Sequence, residues 1–319
     1  MFHIVANLDQ EERWLGSVLP RKLQPSIAAM SGLLQALAPA NEEVTIWTCM
    51  SEEWRGELPQ LAPSPHWQVP VLAIGTPPQI DLQWAALDAT HVADRRFALA
   101  LSHELGIALP GARELGSVGE LEAHLAAGGA GASREEAWVC KAPFSSAGRH
   151  RCFAKGRAVG HDNAIWLERV FERGLTVCFE PYLHRVADVA VCGTVGEALE
   201  LAAPHTIHTD ARGAFRGIGL GATLLEAGER DHLVATAEQV AMALRSAGYR
   251  GRFGLDAFVY DDSGTRRVHP LCEINPRWTF GHVAKALGAR FAATTLGFGP
   301  APAAAKVLIR STRFTAWVA

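Results

Sequence analysis

Residues 272–278 read CEINPRW and place a carboxylate, a carboxamide and a guanidinium at alternate positions: Glu273, Asn275 and Arg277. Successive side chains of an extended chain point to opposite faces, so these three polar groups share one face of a strand. Such a strand either builds a functional site or exposes its polar face at a sheet edge, where Pro276 is tolerated. On this stretch alone the two interpretations are equally good.

A second extended segment precedes this one. Residues 254–260 and 268–275 are predicted to be two strands, joined through the turn signal DDSG at 261–264. If the loop spans about residues 261–267, Asp256 lies nearly opposite Glu273 and on the same face as Asn275. Two carboxylates and a carboxamide repel and desolvate one another unless a cation lies between them. Oxygen ligands favour Mg²⁺, which keeps water and phosphate oxygens in its shell, so the set predicts a metal site for a nucleoside triphosphate.

A candidate phosphate-binding segment occurs earlier in the chain. Residues 139–149, VCKAPFSSAGR, place a lysine at the end of an apolar strand, before a loop of small residues. Backbone N–H groups of such a loop can bind phosphate oxygens, and the lysine can neutralise their charge. The spacing is not that of a P-loop, and taken alone the segment fits an ordinary hairpin better. The candidate phosphate-binding residues are Lys141, Ser145, Ser146, Gly148 and Arg149.

The composition is that of a globular protein of enzyme size. The chain has 319 residues, 49% hydrophobic and 20% charged, with a net charge of -3. This balance argues against a nucleic acid or a membrane as partner and favours small solutes. The N-terminal run soon turns acidic and no apolar stretch reaches membrane-spanning length, so we expect a cytoplasmic protein. Scattered cysteines without metal spacing are expected to be reduced core residues. They are Cys49, Cys140, Cys152, Cys178, Cys192 and Cys272.

Hydrophobic patterning divides the chain into three parts, at residues 1–93, 94–179 and 180–319. The first alternates short apolar runs with a helical pattern and lacks the glycine-rich dinucleotide fingerprint, which predicts a small α/β domain. The other two mix helices and strands, with glycines at predicted helix ends. Predicted helices cover residues 27–37, 96–105 and 164–173, one opens at a capping box from Ser117 to Glu120, and one carries Leu233, Ala237, Val240 and Leu244.

The order of these segments resembles the ATP-grasp superfamily. Lys141 with its loop, then FEPYL at residues 179–183, then Asp256 and EINPR at residues 273–277, follow one another at roughly that family's spacing. The chain length and the first α/β part are similar to D-alanine-D-alanine ligase and its relatives. The resemblance implies an α/β (α+β) protein: a pre-ATP-grasp domain at 1–93, an ATP-grasp small subdomain at 94–179 and a C-terminal subdomain at 180–319.

The resemblance also implies ATP and two Mg²⁺ ions as cofactors, with Mn²⁺ able to substitute. Asp256 and Glu273 would hold the ions, with Glu273 bridging them and Asn275 completing the second. Arg277 would hold the γ-phosphate or the attacking carboxylate, and with Lys141 it forms the implied catalytic pair. Glu180 by its side chain and Leu183 by its backbone would meet the adenine. The implied nucleotide-binding residues are Arg96, Lys141, Ser145, Ser146, Gly148, Arg149, Glu180, Pro181, Tyr182, Leu183 and Asp188.

Two positions depart from the family pattern. Where the family usually has a lysine before the LPGA turn, this chain has Asp94-Arg95-Arg96, so Arg96 is expected to replace it on the α-phosphate. The acid that binds the ribose, normally seven residues after the hinge glutamate, is replaced by Ala187, and Asp188 comes one place late. Neither change removes a predicted metal ligand.

The reaction that the resemblance implies is ATP-dependent joining of a carboxylate to an amine. The acid attacks the γ-phosphate to give an acyl phosphate, and the amine displaces phosphate to form an amide, so the expected partners are a small-molecule acid and amine, an amino acid or peptide. A phosphotransferase on the same fold and a non-catalytic nucleotide-binding protein are the alternatives. A homodimer is the base-rate expectation.

Residues 205–216 crowd histidine, aspartate and arginine into a stretch read as lying between regular elements. A solvated loop and a substrate-recognition loop are equally good interpretations, and a zinc site lacks a third ligand at suitable spacing. The glycines that follow, at 217–221, predict flexible backbone. The charged and polar members are His205, His208, Asp210, Arg212 and Arg216.

Overall fold

The computed structural model describes residues 2–39, 42–48, 71–74, 79–128, 137–145, 148–210, 213–221, 224–310 and 314–319. Three residues noted in the sequence, Cys49, Ser146 and Arg212, lie outside the described residues. Helices and strands are mixed throughout the described chain, which confirms the predicted α/β (α+β) class.

The N-terminal part contains β1 (Phe2–Ala6), α1 (Gln10–Trp14), 3₁₀ helices at Arg21–Leu23 and Gly32–Leu37, α2 (Gln24–Ser31), β2 (Val44–Thr48), β3 (Val71–Ile74), β4 (Leu82–Gln83) and α3 (Thr90–Ala93). Its four strands form a parallel sheet in the order β3-β2-β1-β4. The apolar runs predicted as strands are confirmed in β1, β2 and β3. The predicted helix at 27–37 is α-helical only to Ser31 and continues as a 3₁₀ helix.

The second part contains α4 (Arg95–Glu104), β5 (Arg113–Leu115), α5 (Val118–Ala126), β6 (Ala137–Lys141), β7 (Arg151–Lys155), α6 (His161–Phe171) and β8 (Val177–Tyr182). The strands form an antiparallel sheet in the order β5-β8-β6-β7. Leu121 of α5 and Leu167 of α6 pack in one core with Trp138 and Phe179 of this sheet. Ser117 caps α5 as predicted, accepting the Glu120 N–H at 3.1 Å, whereas the Glu120 carboxylate accepts the N–H of Gly116 and not that of Ser117.

The third part contains β9 (Arg185–Val195), β10 (Leu199–Leu201), β11 (His205–Thr209), β12 (Phe215–Gly219), α7 (Ala227–Ser246), β13 (Gly251–Asp262), β14 (Thr265–Asn275), α8 (Phe280–Phe291), β15 (Thr295–Phe298), β16 (Lys306–Arg310) and β17 (Thr315–Val318). Eight strands lie in the order β14-β13-β9-β11-β12-β15-β17-β16, and β10 pairs with β9. The helical period in α7 is confirmed, because its predicted apolar positions are buried against this sheet.

The prediction of a loop over residues 205–216 was wrong. His205–Thr209 and Phe215–Gly219 are neighbouring antiparallel strands inside the large sheet. Gly217 and Gly219 are therefore strand residues, and neighbouring atoms leave no room for a side chain at either position. A Cβ on Gly217 would lie 2.3 Å from the Leu296 carbonyl, and one on Gly219 would lie 2.8 Å from the His208 ring. Close packing explains these glycines, and chain flexibility does not.

The first and third parts share one hydrophobic core. Ile4 and Leu33 of the N-terminal part pack in the same cluster as Val283 and Leu287 of α8. The predicted boundary at 93/94 falls at the end of α3, and that at 179/180 falls inside β8. Among the described helices, none combines the length and the apolar character needed to cross a membrane.

Candidate functional site

The β13/β14 hairpin brings the predicted metal-binding side chains together. Asp256 lies directly opposite Glu273, and Gly254 lies opposite Asn275. Paired positions in an antiparallel ladder face the same side, so the two carboxylates and the carboxamide share one face, as the alternation predicted.

The turn and the register that produce this pairing differ from the predicted ones. The turn is the pair Ser263 and Gly264, not a loop of residues 261–267. Phe258 pairs with His269, so a ladder without a bulge would pair Asp256 with residue 271. The ladder is interrupted between Asp256 and Phe258, and the extra residues of β14 include a proline, which lacks an N–H and is tolerated at a bulge. This bulge sets Glu273 opposite Asp256.

The cluster continues through hydrogen bonds to Arg277. Asn275 Nδ2 donates to Asp256 Oδ2 at 3.1 Å, and Arg277 Nη2 donates to Asn275 Oδ1 at 2.9 Å. Arg277 Nε donates to Glu11 Oε1 at 2.6 Å, so a carboxylate of α1 fixes the guanidinium. Glu11 had no signal in the sequence, because its partner lies 266 residues away.

The electrostatics of the carboxylate pair fit a bound divalent cation. Burial raises the pKa of Asp256 to about 7, and the charge of Glu273 adds to the rise. A cation between the carboxylates would remove this repulsion, and carboxylate oxygens suit Mg²⁺. The Asn275 oxygen, which here accepts from Arg277, would join them once the amide turns. Within the described parts of the chain, no group of three or more His, Cys, Asp or Glu side chains is placed to hold a metal. Two carboxylates without a histidine or cysteine ligand suit Mg²⁺ better than Zn²⁺.

Lys141 lies at the end of β6, beside the metal-site candidates, and pairs with Glu180. Its Nζ donates to Glu180 Oε2 at 2.6 Å and lies 3.9 Å from Cys272 Sγ. The two charged side chains are only 11% and 13% exposed. Burial favours the neutral form of both, but the neighbouring opposite charges outweigh it, so the pKa of Lys141 is raised and that of Glu180 is lowered.

Arg96 does not line the cavity that contains the candidate metal ligands. Its guanidinium points away from the site and binds Asp94, with Nε 2.9 Å from Oδ2, and it also lies 3.5 Å from Glu114. Arg95 takes the inward position: its Nη2 donates to Glu273 Oε1 at 2.7 Å and to the Ser145 carbonyl at 3.1 Å. Neighbouring helical residues point about 100° apart, so the helix orientation decides between the two arginines.

The loop after Lys141 is tied to the N-terminal part by Glu12. This side chain is 1% exposed and accepts hydrogen bonds from Arg149 Nε at 2.6 Å and Ser17 Oγ at 2.6 Å, and it lies 2.7 Å from His150 Nε2. Burial raises the pKa of Glu12, but these hydrogen bonds outweigh it and lower the pKa to about 2. Gly148 has a φ of 69°, in the left-handed region that favours glycine.

Residues 180–183, which the resemblance implies bind the nucleotide, lie where β8 leads to β9. Glu180 lines a small separate cavity together with Arg95 and His269. Leu183 packs beside Leu109 and Phe258. Of the four predicted residues, only Tyr182 lines the cavity that contains the candidate metal ligands. Tyr182 and Leu183 both line a neighbouring cavity of about 420 Å³, which shares Asp188 with the first.

The late position of Asp188 agrees with the register of β9. Ala187 faces the core with Val189 and Val191, packed against α7. Asp188 faces the opposite side, lines the cavity and accepts a hydrogen bond from Arg185 Nη1 at 2.9 Å. An acid at position 187 would therefore be buried in the core, and the one at 188 is accessible.

Most of the predicted site residues line one cavity of about 340 Å³. The predicted site residues that line it are Lys141, Ser145, Gly148, Arg149, Tyr182, Asp188, Asp256, Glu273, Asn275 and Arg277. Further charged lining residues, which the sequence analysis did not predict as site residues, are Glu11, Arg95, Arg151 and Arg185. The arginine pair at 95–96 was a usable signal, because neighbouring helical residues point in different directions and one of the two lines the cavity.

Comparison with known proteins finds likeness in structure only. No family model and no curated protein matches the sequence. N5-carboxyaminoimidazole ribonucleotide synthetase from Thermus thermophilus gives a TM-score of 0.56 at 14% identity, over 100% of this chain and 92% of that one. D-alanyl-alanine synthetase A from Vibrio cholerae gives 0.54 at 13% identity, over 86% and 88%.

A third structure is N5-carboxyaminoimidazole synthase from Aspergillus clavatus in complex with ADP and 5-aminoimidazole ribonucleotide. Its TM-score is 0.52 at 11% identity, over 91% of this chain and 90% of that one. These likenesses confirm the fold that the resemblance implied: the chain has the ATP-grasp fold. At such low identity they establish the fold alone, and the activity is argued from the site.

Proposed function

We propose that this protein is an ATP-dependent carboxylate-amine ligase that forms an amide through an acyl phosphate and releases ADP and phosphate. The observation that carries the proposal is the convergence of Asp256, Glu273 and Asn275 with Arg277 and Lys141 on one cavity. An oxygen-only metal site beside several cations is the arrangement that stabilises a transferring phosphoryl group.

ATP with two Mg²⁺ ions is the proposed cofactor set. Asp256, Glu273 and Asn275 would hold the metal, whose charge would offset that of the phosphate oxygens. Arg95 would take the α-phosphate role first expected of Arg96, because its guanidinium lines the cavity. The ADP in the Aspergillus clavatus structure supports nucleotide binding by this fold.

The residues of the chain itself would orient and shield the reacting groups. Arg277 is held at 2.6 Å by Glu11 and at 2.9 Å by Asn275, so its remaining N–H groups have a fixed direction in which to bind a substrate carboxylate or the γ-phosphate. Ser145 and Gly148 would border the phosphates with backbone N–H groups. The neighbours are named as acting on amino acids and on an aminoimidazole ribonucleotide, which supports a small acid and a small amine as partners. A cytoplasmic location and a homodimer stay predictions.

The test is release of ADP and phosphate from Mg-ATP across a panel of acids and amines. Glu273→Ala and Lys141→Ala should each lower turnover by at least about 100-fold, because each removes a charge placed at the phosphoryl group. Glu238→Ala, an exposed carboxylate on α7, should leave turnover unchanged.

Phosphate release separates the ligase from its alternatives. A phosphotransferase would yield ADP and a phosphorylated acceptor without free phosphate. Binding of Mg-ATP without turnover in any acid and amine mixture would favour the non-catalytic protein. A fully active Glu273→Ala variant would contradict the metal site itself.

A further inference from the structure

Beside Arg277 the main cavity extends into an apolar region, which we call the aromatic lobe. It is formed by Ile27, Met30, Trp84, Phe215, Ile218 and Phe280. The Trp84 and Phe280 ring centroids lie 5.3 Å apart, and those of Phe215 and Phe280 lie 6.0 Å apart, so three rings line it continuously. The guanidinium carbon of Arg277 lies 5.7 Å from the Trp84 ring, which places this lobe next to the proposed reaction centre.

His205 is a further polar residue on the floor of the cavity. Ladder pairing aligns Glu273 with Asp256, Asp256 with Ala190, and Ala190 with His205, so all four face the same side of the large sheet. At about 4.8 Å between neighbouring strands, His205 lies about 10 Å from Asp256. Ala190 between them leaves the floor open.

His205 is buried at this position, beside α8, and its ring faces the cavity. Its side chain is buried, with 4% of the residue exposed, lines the cavity and has no hydrogen-bond partner among the described residues. Gly281 at the start of α8 lets the helix approach, since a Cβ there would lie 2.6 Å from the imidazole. Burial lowers the pKa of His205 to about 4, so the ring is neutral at physiological pH. Neither ring nitrogen of His205 is among the fully enclosed, unpaired atoms, so the ring is open to the cavity and can form a hydrogen bond with a ligand there.

We propose that the acid substrate of the ligase has an aromatic or branched apolar body that fills the aromatic lobe, and a neutral hydrogen-bonding group on that body that His205 recognises. This inference rests on the proposed ligase function. None of the six lobe residues carries a charge, so a phosphate or a second carboxylate there would lose its hydration without a partner. The substrate carboxylate would lie at Arg277 and the neutral group at the imidazole.

The test uses hydroxylamine as a common amine, because it captures any acyl phosphate as a hydroxamate whatever the natural amine is. Mg-ATP is supplied with 3-phenylpropionate, its 4-hydroxy derivative and its 4-carboxy derivative, and with phenylalanine, tyrosine and 4-carboxyphenylalanine. Alanine and aspartate serve as small and charged comparisons. We expect kcat/KM for the hydroxy acids to exceed that for the 4-carboxy acids by about 100-fold or more.

His205→Leu should lower the preference for the hydroxy acid over the unsubstituted acid by about tenfold, the value of one lost hydrogen bond in a dry site. KM for ATP should stay unchanged, and His205→Gln, which restores a hydrogen-bonding group, should restore part of the preference. His208→Leu is the matched control, because His208 is exposed on the same strand three residues on. Calorimetry on each variant checks folding.

The outcomes separate the two proposals. Hydroxamate from alanine, aspartate or the 4-carboxy acids in preference to the aryl series would overturn the lobe assignment and leave the ligase intact. A His205→Leu variant that slows both aryl acids equally would overturn recognition by His205. No hydroxamate from any acid, with Mg-ATP bound, would overturn the ligase function and this inference with it.

Discussion

Lys141, proposed to bind phosphate, is also one partner of a buried ion pair. The sequence indicated a phosphate-binding lysine, and the structure adds a buried ion pair with Glu180 at 2.6 Å. A buried pair contributes little net stability compared with apolar residues, yet removing one partner leaves an uncompensated charge. The remaining ammonium donors can still face the cavity, which Lys141 lines.

Lys141→Met is therefore expected to lower the free energy of unfolding by about 3–5 kcal/mol at pH 7, the cost of breaking a buried pair. The pKa of Glu180 is lowered in the native protein, so its stabilisation is present above about pH 4.5 and is lost as pH falls further. Without Lys141, burial should instead raise that pKa, and the variant should gain stability relative to wild type as pH falls from 7 towards 5. Urea unfolding at several pH values measures this.

The double variant Lys141→Met with Glu180→Gln is the control, since it removes both charges. It should recover much of the lost stability and lose the pH-dependent difference. A single variant as stable as wild type at pH 7 would contradict the buried-pair argument.

In the β13/β14 hairpin, the turn and the bulge have different effects: the turn contributes to stability, and the bulge sets the register of the paired residues. Its turn closes the ladder: Ser263 and Gly264 have φ values of 55° and 86°, as a tight two-residue turn requires, and the Gly264 N–H is bound by Asp261 Oδ1 at 2.8 Å. Its bulge sets the register that places Asp256 opposite Glu273. Changes at the turn should thus alter stability and leave the site geometry intact.

Ser263→Asn is expected to raise the free energy of unfolding by about 0.5 kcal/mol, because asparagine tolerates the left-handed conformation better than serine. Ser263→Val should lower it by about 1–2 kcal/mol, since a β-branched side chain is strained there. Both variants should keep wild-type kcat and KM for ATP. Thermal unfolding and steady-state kinetics test the pair, and a loss of activity in the asparagine variant would contradict this division of roles.

At the scale of the whole molecule, the N-terminal part completes the site. Two adjacent carboxylates of α1 reach across to it: Glu11 holds Arg277 at 2.6 Å, and Glu12 holds Arg149 at 2.6 Å. The shared core under α8 keeps these parts in place. The cavity therefore has walls from three segments that are distant in the sequence.

Glu11→Gln is expected to raise KM for the acid about tenfold, because the Arg277 guanidinium loses the charged partner that orients it. Because we place the substrate carboxylate, and not the γ-phosphate, at Arg277, KM for ATP should change by less than about twofold. Glu43→Gln, an exposed glutamate before β2, is the control. Equal effects on both KM values would indicate general loosening and not a positioning role.

Local patterns predicted much of the fold and the centre of the site. Three of the four strands of the first sheet, helix α7 and the facing pair Asp256 and Glu273 follow from short apolar runs, strand alternation and helical period, which act over a few residues. The prediction for residues 205–219 failed because their polar, glycine-rich composition is typical of a loop. In the structure most of them form two strands, and the glycines there leave room for atoms of neighbouring strands.

The sequence by itself determined the chemistry available: two carboxylates, an amide and a guanidinium at strand spacing, and a lysine before a small-residue loop. Only the tertiary structure decided which groups meet. Arg95, and not Arg96, lines the cavity, and Lys141 pairs with Glu180. Glu11 and Glu12 contact the site from α1, and His205 lies beside the aromatic lobe. The physical reason is that side-chain alternation is fixed locally by backbone geometry, whereas helix rotation, bulges and contacts between distant segments are set by packing of the whole chain.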